Sequence, residues 1–560
     1  MATQWQTFPI EFNGGLISNL SPLQQGTNAV GSATLLQNFE TSKLGGYSKL
    51  KGYEKYSTTQ VPGTGPVLGL KVISSGRIVA SRKNASNKTE YYFSTGTTWT
   101  SITETALTNG KKARSALYNL GLSDKVVFVD GVNFPVIYNT AGNTIVKLQN
   151  TDVNVDGYTG TNDPLAAEHV AIFKSTAFYA KGNTLFFTAP FSVDDFSAAN
   201  GAGSISVSAN ITGLAIFRDQ LIIFTTNTVQ RLTGSTAADF QVSPITDRIG
   251  CINGDTIQEF GGDIIYLAPD GIRLLSATDR IGDFGLDIAS DKIAKDSISF
   301  LGSTPIFSSV ILREKGQYRI FAYIESENVT SAKGLIATKF ISQGGTGVNW
   351  STTKGIKAYA SDSRYTNTEE TIAFSNSDGY VYIMDTGSSF DGAAIEAIYE
   401  SPFMPLTDPQ VRKSFYKMTL YAQPSGNMSL DLNLKYNFDS SSDLTTVQPD
   451  TQQIVGTGTS VFIYGDSKSL FASSDRVADN SNLVAPAGPW LTYPNQAGPF
   501  YNEEGETFSP ATYGGELDNI YNTNVIGSGK TLAIRIEDNT TNPTFTLDTA
   551  LIEFSQEDRQ

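Results

Sequence analysis

Between residues 211 and 284 short apolar runs alternate with tight polar breaks. Leu214–Phe217 stops at Arg218-Asp219, Leu221–Phe224 stops near Asn227, and Ile264–Leu267 stops at Asp270-Gly271 before Ile272–Leu275. β-Branched and aromatic runs bounded in this way predict hairpin strands. The same texture extends in both directions. Leu70–Ile73 turns at Ser75-Gly76 into Ile78–Ala80, and Tyr91–Phe93 turns at Thr95-Gly96 towards Trp99. Val126–Val129 turns at Asp130-Gly131, Val310–Leu312 at Lys315-Gly316, and Thr371–Phe374 at Asp378-Gly379. Hairpins recur about every 20 residues, so a four-stranded unit recurs about every 40 to 50. Over residues 61–390 this rhythm predicts a β-propeller of about six or seven blades. One interruption has helical spacing: Asp287–Lys295 places apolar residues at 288, 289, 293 and 294, with Asp287 as its N-cap.

The ends differ from the middle. Residues 1–60 are Gly-rich with spaced aromatics, as in Phe12-Asn-Gly-Gly15 and Gly45-Gly-Tyr47, and cannot build a core of their own. They predict a docking segment that lies across the propeller or against a neighbouring subunit. Val61-Pro-Gly-Thr-Gly-Pro66 is a breaker cluster that separates this segment from the propeller. From residue 391 to 560 the pattern is that of a β-sandwich. Leu430-Asp-Leu-Asn-Leu-Lys-Tyr436 alternates strictly, so one face is buried, and Thr531–Glu537 and Phe545–Phe554 close the chain as further strands. Residues 439–459 and 473–524 are long polar insertions, and loops of such length commonly contact a partner. The fold class expected is therefore all-β: a propeller followed by a C-terminal sandwich with long inserted loops.

Composition narrows the chemistry. The chain has 560 residues and a formal charge of −15. That balance argues against a grip on nucleic acid, which requires basic patches, while permitting DNA to pass without adhering. With one Cys (Cys251) and one His (His169), an intrachain disulfide and a Cys/His zinc site are excluded. The N-terminus carries no basic and apolar leader pattern, so no signal peptide is expected. No apolar run is long enough to span a membrane.

Several stretches also carry a resemblance. Thr188-Ala-Pro-Phe-Ser-Val-Asp-Asp-Phe196, ITGL at 211–214, FRDQLIIFT at 217–225, RLTG at 231–234, DFQVSPI at 239–245, IGC at 249–251 and DGIRLL at 270–275 follow one another in an order that resembles phage tail proteins. These are the nozzle, or tail-tubular-B-like, subunits of short-tailed phages. Gly14-Gly15-Leu16, Leu36-Gln-Asn-Phe39 and the Gly529–Ile536 strand are similar to that family as well. The resemblance implies a non-enzymatic virion protein located in the tail. It implies a ring, a homohexamer, that continues the DNA channel below the head–tail connector and helps retain and release the genome. Its implied partners are copies of itself, a head–tail adaptor, tail fibres and the double-stranded DNA that passes through. The alternative is a fibre-linked or baseplate component that binds a host surface glycan.

The sharpest local motif is Asp152-Val-Asn154-Val-Asp156-Gly157-Tyr158, followed by Asp163. Oxygen ligands at alternate positions, with Gly at the bend, match the spacing of a calcium loop. Asp163 stands where a longer Glu is usual, and no helix flanks the loop, so the competing reading is a solvated Asx-rich turn. No other cofactor is expected. Asp130, Asp270 and Asp378 each precede Gly in a hairpin connection, which favours turn chemistry over paired catalytic carboxylates. His169 has no second His or nearby Cys, and Cys251 has only Arg248 close in sequence, so neither is expected to act as base or nucleophile. Gly201-Ala-Gly203 lacks the Lys of a phosphate-binding loop.

Overall fold

The computed structural model describes residues 5–438 and 520–556, apart from 43–44, 75, 103–106, 121–123, 149–165, 276–287, 302–304, 343–344 and 367–368. It also describes short strands at 452–456, 462–463, 500–501, 507–508 and 512–513. The hairpin rhythm builds a six-bladed β-propeller. Blade 1 runs from Thr64 to Ser101, blade 2 from Arg114 to Lys147, blade 3 from His169 to Ser206 and blade 4 from Ile211 to Thr246, each a four-stranded antiparallel sheet. Blade 5 is formed by Ile306–Leu312, Gln317–Tyr323, Lys333–Ser342 and Gly345–Lys354. A three-stranded sheet, from Gln258 to Leu274, is wedged between blades 4 and 5. One face of this wedge packs Ile264 and Tyr266 on Phe224 of blade 4, and the other turns Ile265 and Leu267 into the core that holds Tyr318 and Ile320 of blade 5.

Blade 6 has only three strands of its own, Ala360–Thr366, Glu369–Ser375 and Val381–Met384. Its fourth is Tyr53–Lys55 from the start of the chain, with Met384 opposite Tyr53. Tyr53 is buried there against Phe374, Tyr382 and Phe390, at ring-centroid distances of 5.0, 5.1 and 4.9 Å.

The remaining N-terminal strands belong to the sandwich. Trp5–Glu11 pairs antiparallel with the chain's last strand, Phe545–Gln556. Pro9 lies on this edge strand, where its missing N–H leaves no gap in a ladder and blunts pairing with another chain. Phe39–Thr41 and Tyr47–Lys49 join the same sheet, beside Lys413–Pro424 and Ile520–Gly529. The facing sheet continues blade 5. Leu35–Gln37 runs parallel to Gly345–Lys354 and antiparallel to Ile395–Glu400, and Leu532–Thr540, Met428–Tyr436 and Gln452–Gly456 follow, nine strands in all. The alternation expected over 430–436 appears as buried Leu430, Leu432 and Leu434, packed in one cluster with Phe415, Met418, Ile552 and Phe554 from the opposite sheet.

The first 60 residues are thus divided among two sheets and one blade instead of crossing the propeller as a single piece. Asn38 marks the joint. Its backbone is left-handed, with φ +53°, a region Asn tolerates better than most residues. Its Nδ2 donates to Lys354 O at 3.0 Å and Glu396 O at 2.9 Å, and its Oδ1 accepts from Lys354 N at 2.9 Å. One side chain therefore ties the last strand of blade 5 to the first sandwich strand.

The helix differs from expectation. A 3-10 turn at Asp291–Ile293 leads into an α-helix at Ala294–Leu301, and Ile288 instead bridges to Arg273. Asp287 lies outside the described residues. Ile293, one of the four expected apolar positions, is buried, and Ser297 and Phe300 are buried further along the helix.

Asn38→Ala removes three hydrogen bonds and places a poorly suited residue at positive φ. It is expected to destabilise the chain by about 2–4 kcal/mol, measured as a lowered denaturant midpoint with unchanged slope. Asn38→Gly, which relieves the backbone, is expected to cost less.

Candidate functional site: the charged axis of the propeller

Propellers that act on ligands use the axis where their inner strands converge, and here that region is occupied by charge. Arg114 opens the inner strand of blade 2, and Lys112 stands two residues before it. Asp255 sits in a short 3-10 turn between blade 4 and the wedge. The turn is set by Asn253, whose side chain accepts from Asp255 N at 2.8 Å, the usual N-cap arrangement. Arg114 grips the Asp255 carboxylate with both arms, Nε to Oδ1 at 2.7 Å and Nη2 to Oδ2 at 2.9 Å. Lys112 Nζ reaches Oδ2 at 3.2 Å and donates to Phe307 O of blade 5 at 2.7 Å. Arg114 Nη1 donates to Glu168 O at 3.2 Å, and Ser309 Oγ of blade 5 donates to Asp255 O at 2.7 Å. One carboxylate and two cations therefore connect blades 2, 3 and 5 and the wedge.

The electrostatics follow from burial and pairing. Burial alone would raise the Asp255 carboxyl, but Lys112 and Arg114 outweigh it and hold it well below the usual carboxylate range. Burial lowers Lys112 against the pull of Asp255, whereas for Arg114 the carboxylate prevails and raises it. His169, at the start of the blade 3 inner strand, is buried beside this group. Desolvation, and then the Arg114 charge, push its imidazole down to about 3. Cys251 is also buried; its thiol donates to Asn253 O at 3.3 Å, and burial pushes it up to about 12. At neutral pH the imidazole is uncharged, the thiol is protonated and the carboxylate is fully engaged. This arrangement locks blades together and leaves no activated nucleophile among these groups.

A second charged seam lies where blades 5 and 6 meet the N-terminal strand 39–41. Lys315 Nζ contacts Glu40 and Asp385, both at 2.7 Å, and the buried Arg319 guanidinium lies 2.9 Å from Glu40 and 3.2 Å from Asp385. A third is the fully buried pair Lys49–Asp538 at 3.0 Å, which joins the two sandwich sheets. Each of these clusters spans separate elements of the fold.

The turn carboxylates are engaged locally. Asp130 accepts from the backbone N of Val132 and Asn133 at 3.0 and 2.7 Å. Asp270 pairs with Arg273, and Asp378 accepts from Tyr382 OH at 2.6 Å. Each is held by residues two to four positions further along its own turn. Asp152, Asn154, Asp156, Tyr158 and Asp163 lie outside the described residues. Among the described residues no group of three or more His, Cys, Asp or Glu could hold a metal ion. The sequence reading missed Lys112, Arg114 and Asp255. The available signal was Lys111-Lys112-Ala113-Arg114 ahead of an apolar run in a chain with few charges, together with the capping pattern Asn253-Gly254-Asp255.

No family model matches the chain, and no curated protein matches it. Among solved structures it is similar to the extracellular domain of a hybrid two component system from B. thetaiotaomicron. That likeness has 9% identity and a TM-score of 0.35, over 65% of this chain and 42% of that one. It is also similar to PorZ, a bacterial surface component of the type-IX secretion system of Porphyromonas gingivalis, at 12% identity and a TM-score of 0.34, over 61% of this chain and 42% of that one. The chain spans less than half the length of either neighbour, and likenesses at these TM-scores carry no argument about what it does.

Two outcomes are expected at the axis. Asp255→Asn leaves two part-buried cations without their carboxylate and is expected to cost about 2–4 kcal/mol in denaturant unfolding. The native His169 holds its proton less tightly than the unfolded one. Stability should therefore fall as pH drops below 6.5, by up to about 1.4 kcal/mol per unit from this residue, until about pH 3. His169→Gln should flatten that slope; an unchanged slope would remove His169 as its source.

Proposed function

We propose that this chain is a non-enzymatic virion structural protein of a bacteriophage tail, a nozzle subunit that assembles into a homohexameric ring below the head–tail connector. The observation that carries this reading is the occupied propeller axis. Where a ligand-processing propeller keeps a cleft, Lys112, Arg114 and Asp255 hold the blades together. The ordered resemblance of residues 188–275 to tail nozzle subunits supports the same role.

In this reading DNA passes through an opening between copies, because the axis of each propeller is crossed by side chains. Residues 439–519 hold eleven Asp or Glu against two Lys or Arg, nine of the fifteen net negative charges of the chain. A segment of that charge facing the channel would repel the DNA backbone and let the genome slide. The strand pairs 462–463 with 512–513, and 500–501 with 507–508, lie within this insertion. The head–tail adaptor and tail fibres are the further partners proposed, and the location is the virion tail. No helix of the described residues is long and apolar enough to cross a membrane.

Quantitative mass spectrometry of purified particles tests the reading. About six copies per particle are expected of a single cyclic ring. Copies in multiples of three well above that figure would favour the fibre-linked or baseplate alternative, and absence from particles would overturn the virion role. The assembled protein is further expected to give no mobility shift with duplex DNA at low ionic strength. Saturable, salt-sensitive binding would contradict a repelling channel.

A further inference from the structure

Phe191 combines three properties that the fold does not need together. It lies in the connection, residues 188–202, between the last two strands of blade 3. Its side chain is 72% exposed, and its backbone is left-handed at φ +61°. A bulky residue in that region is strained, and Gly or Asn would suit the turn better. The phenyl ring gives little burial in return.

The loop beneath it is firmly held. Phe191 N donates to Ser175 O at 2.7 Å, and Thr188 Oγ1 donates to Ser192 O at 2.8 Å. Ser192 Oγ meets Asp194 Oδ1 at 2.6 Å, and Asp195 accepts from Ser197 N at 2.9 Å and Asn200 Nδ2 at 2.7 Å. An exposed aromatic on a preorganised loop has the form of an interface anchor, because little freedom remains to be lost on binding.

A matching concavity lies on the sandwich. An open cleft of about 440 Å³ is walled by Pro409, Phe438 and Thr531, with Arg412, Asn437 and Lys530 beside them. Phe438 is 43% exposed, stands at φ +61° and packs on Phe403 at 5.0 Å. The Thr531 hydroxyl is buried and has no hydrogen-bond partner. The charges are complementary too. Residues 188–202 contain Asp194 and Asp195 and no Lys or Arg, while the cleft presents two cations in a chain of net charge −15.

We propose that Phe191 is the knob, and the cleft beside Phe438 the socket, of a head-to-tail contact between two copies of this chain. The inference rests on the ring reading above and names the contact that builds the ring. Knob and socket lie on different domains, so the contact is heterologous. Such contacts close into rings when the rotation permits.

The test uses the full chain with Phe191→Asn, which suits a left-handed backbone, and Arg412→Glu, an exposed change at the socket. The wild type is expected to assemble in sedimentation velocity, and each variant alone is expected to be monomeric and folded, with the far-ultraviolet circular dichroism of the wild type and a melting temperature lower by no more than the lost association accounts for. An equimolar mixture is expected to form a one-to-one dimer and nothing larger. The intact socket of the Phe191→Asn copy accepts the intact knob of the Arg412→Glu copy, and both outer ends are blocked. Assembly of either variant like the wild type, or a mixture that stays monomeric, would overturn the contact while the ring reading stands. A monomeric wild type would also overturn the contact, and the copy number in particles would then decide the ring reading separately.

Discussion

The first and last described strands of this chain are hydrogen-bonded to each other, and the fold depends on that constraint. Trp5–Glu11 and Phe545–Gln556 form one antiparallel ladder, so the sandwich cannot be completed until the last residues meet the first. The strand Tyr53–Lys55 then closes the propeller, as the fourth strand of its last blade. Between these two points Leu35–Gln37 is inserted into the sheet that blade 5 and the sandwich share. The N-terminal segment has no core of its own. It acquires one only where both domains are present to provide it.

Buried charge sits at the same joints. Lys49–Asp538, the Glu40–Lys315–Arg319–Asp385 group and Asp255 with its two cations each bridge elements distant in sequence. Such pairs are weak sources of net stability, because desolvation offsets most of the attraction. Their effect lies in specificity: a misplaced blade or a slipped strand would leave a charge buried without its partner, at a cost of several kcal/mol. At the propeller axis this specification falls on Lys112, Arg114 and Asp255, which fix blade 2 against the wedge and blade 5.

Much of the architecture was legible in the sequence because hairpins are local. Leu70–Ala80, Tyr91–Trp99 and Val310–Tyr323 announce their turns within a few residues, and the alternation at 430–436 declares its buried face. Strand pairings that join remote segments left no such mark. Nothing near Tyr53 indicates that its partner is Met384, and nothing near Gln37 indicates Thr352, because those pairings are decided by the tertiary core. The helix was displaced for a related reason. The apolar spacing from 288 fits a helix, but Ile288 is taken by a bridge to Arg273 and the turn begins only at Asp291. The axial triad was harder still to read, since Arg114 and Asp255 are 141 residues apart and only the closed ring brings them together.

Differential scanning calorimetry of the full chain tests the central claim, that the propeller and the sandwich form one unit stitched by the N-terminal segment. A single transition is expected, with calorimetric and van't Hoff enthalpies equal, because neither domain can lose that segment without exposing its core. Two separated transitions, one for each domain, would contradict it.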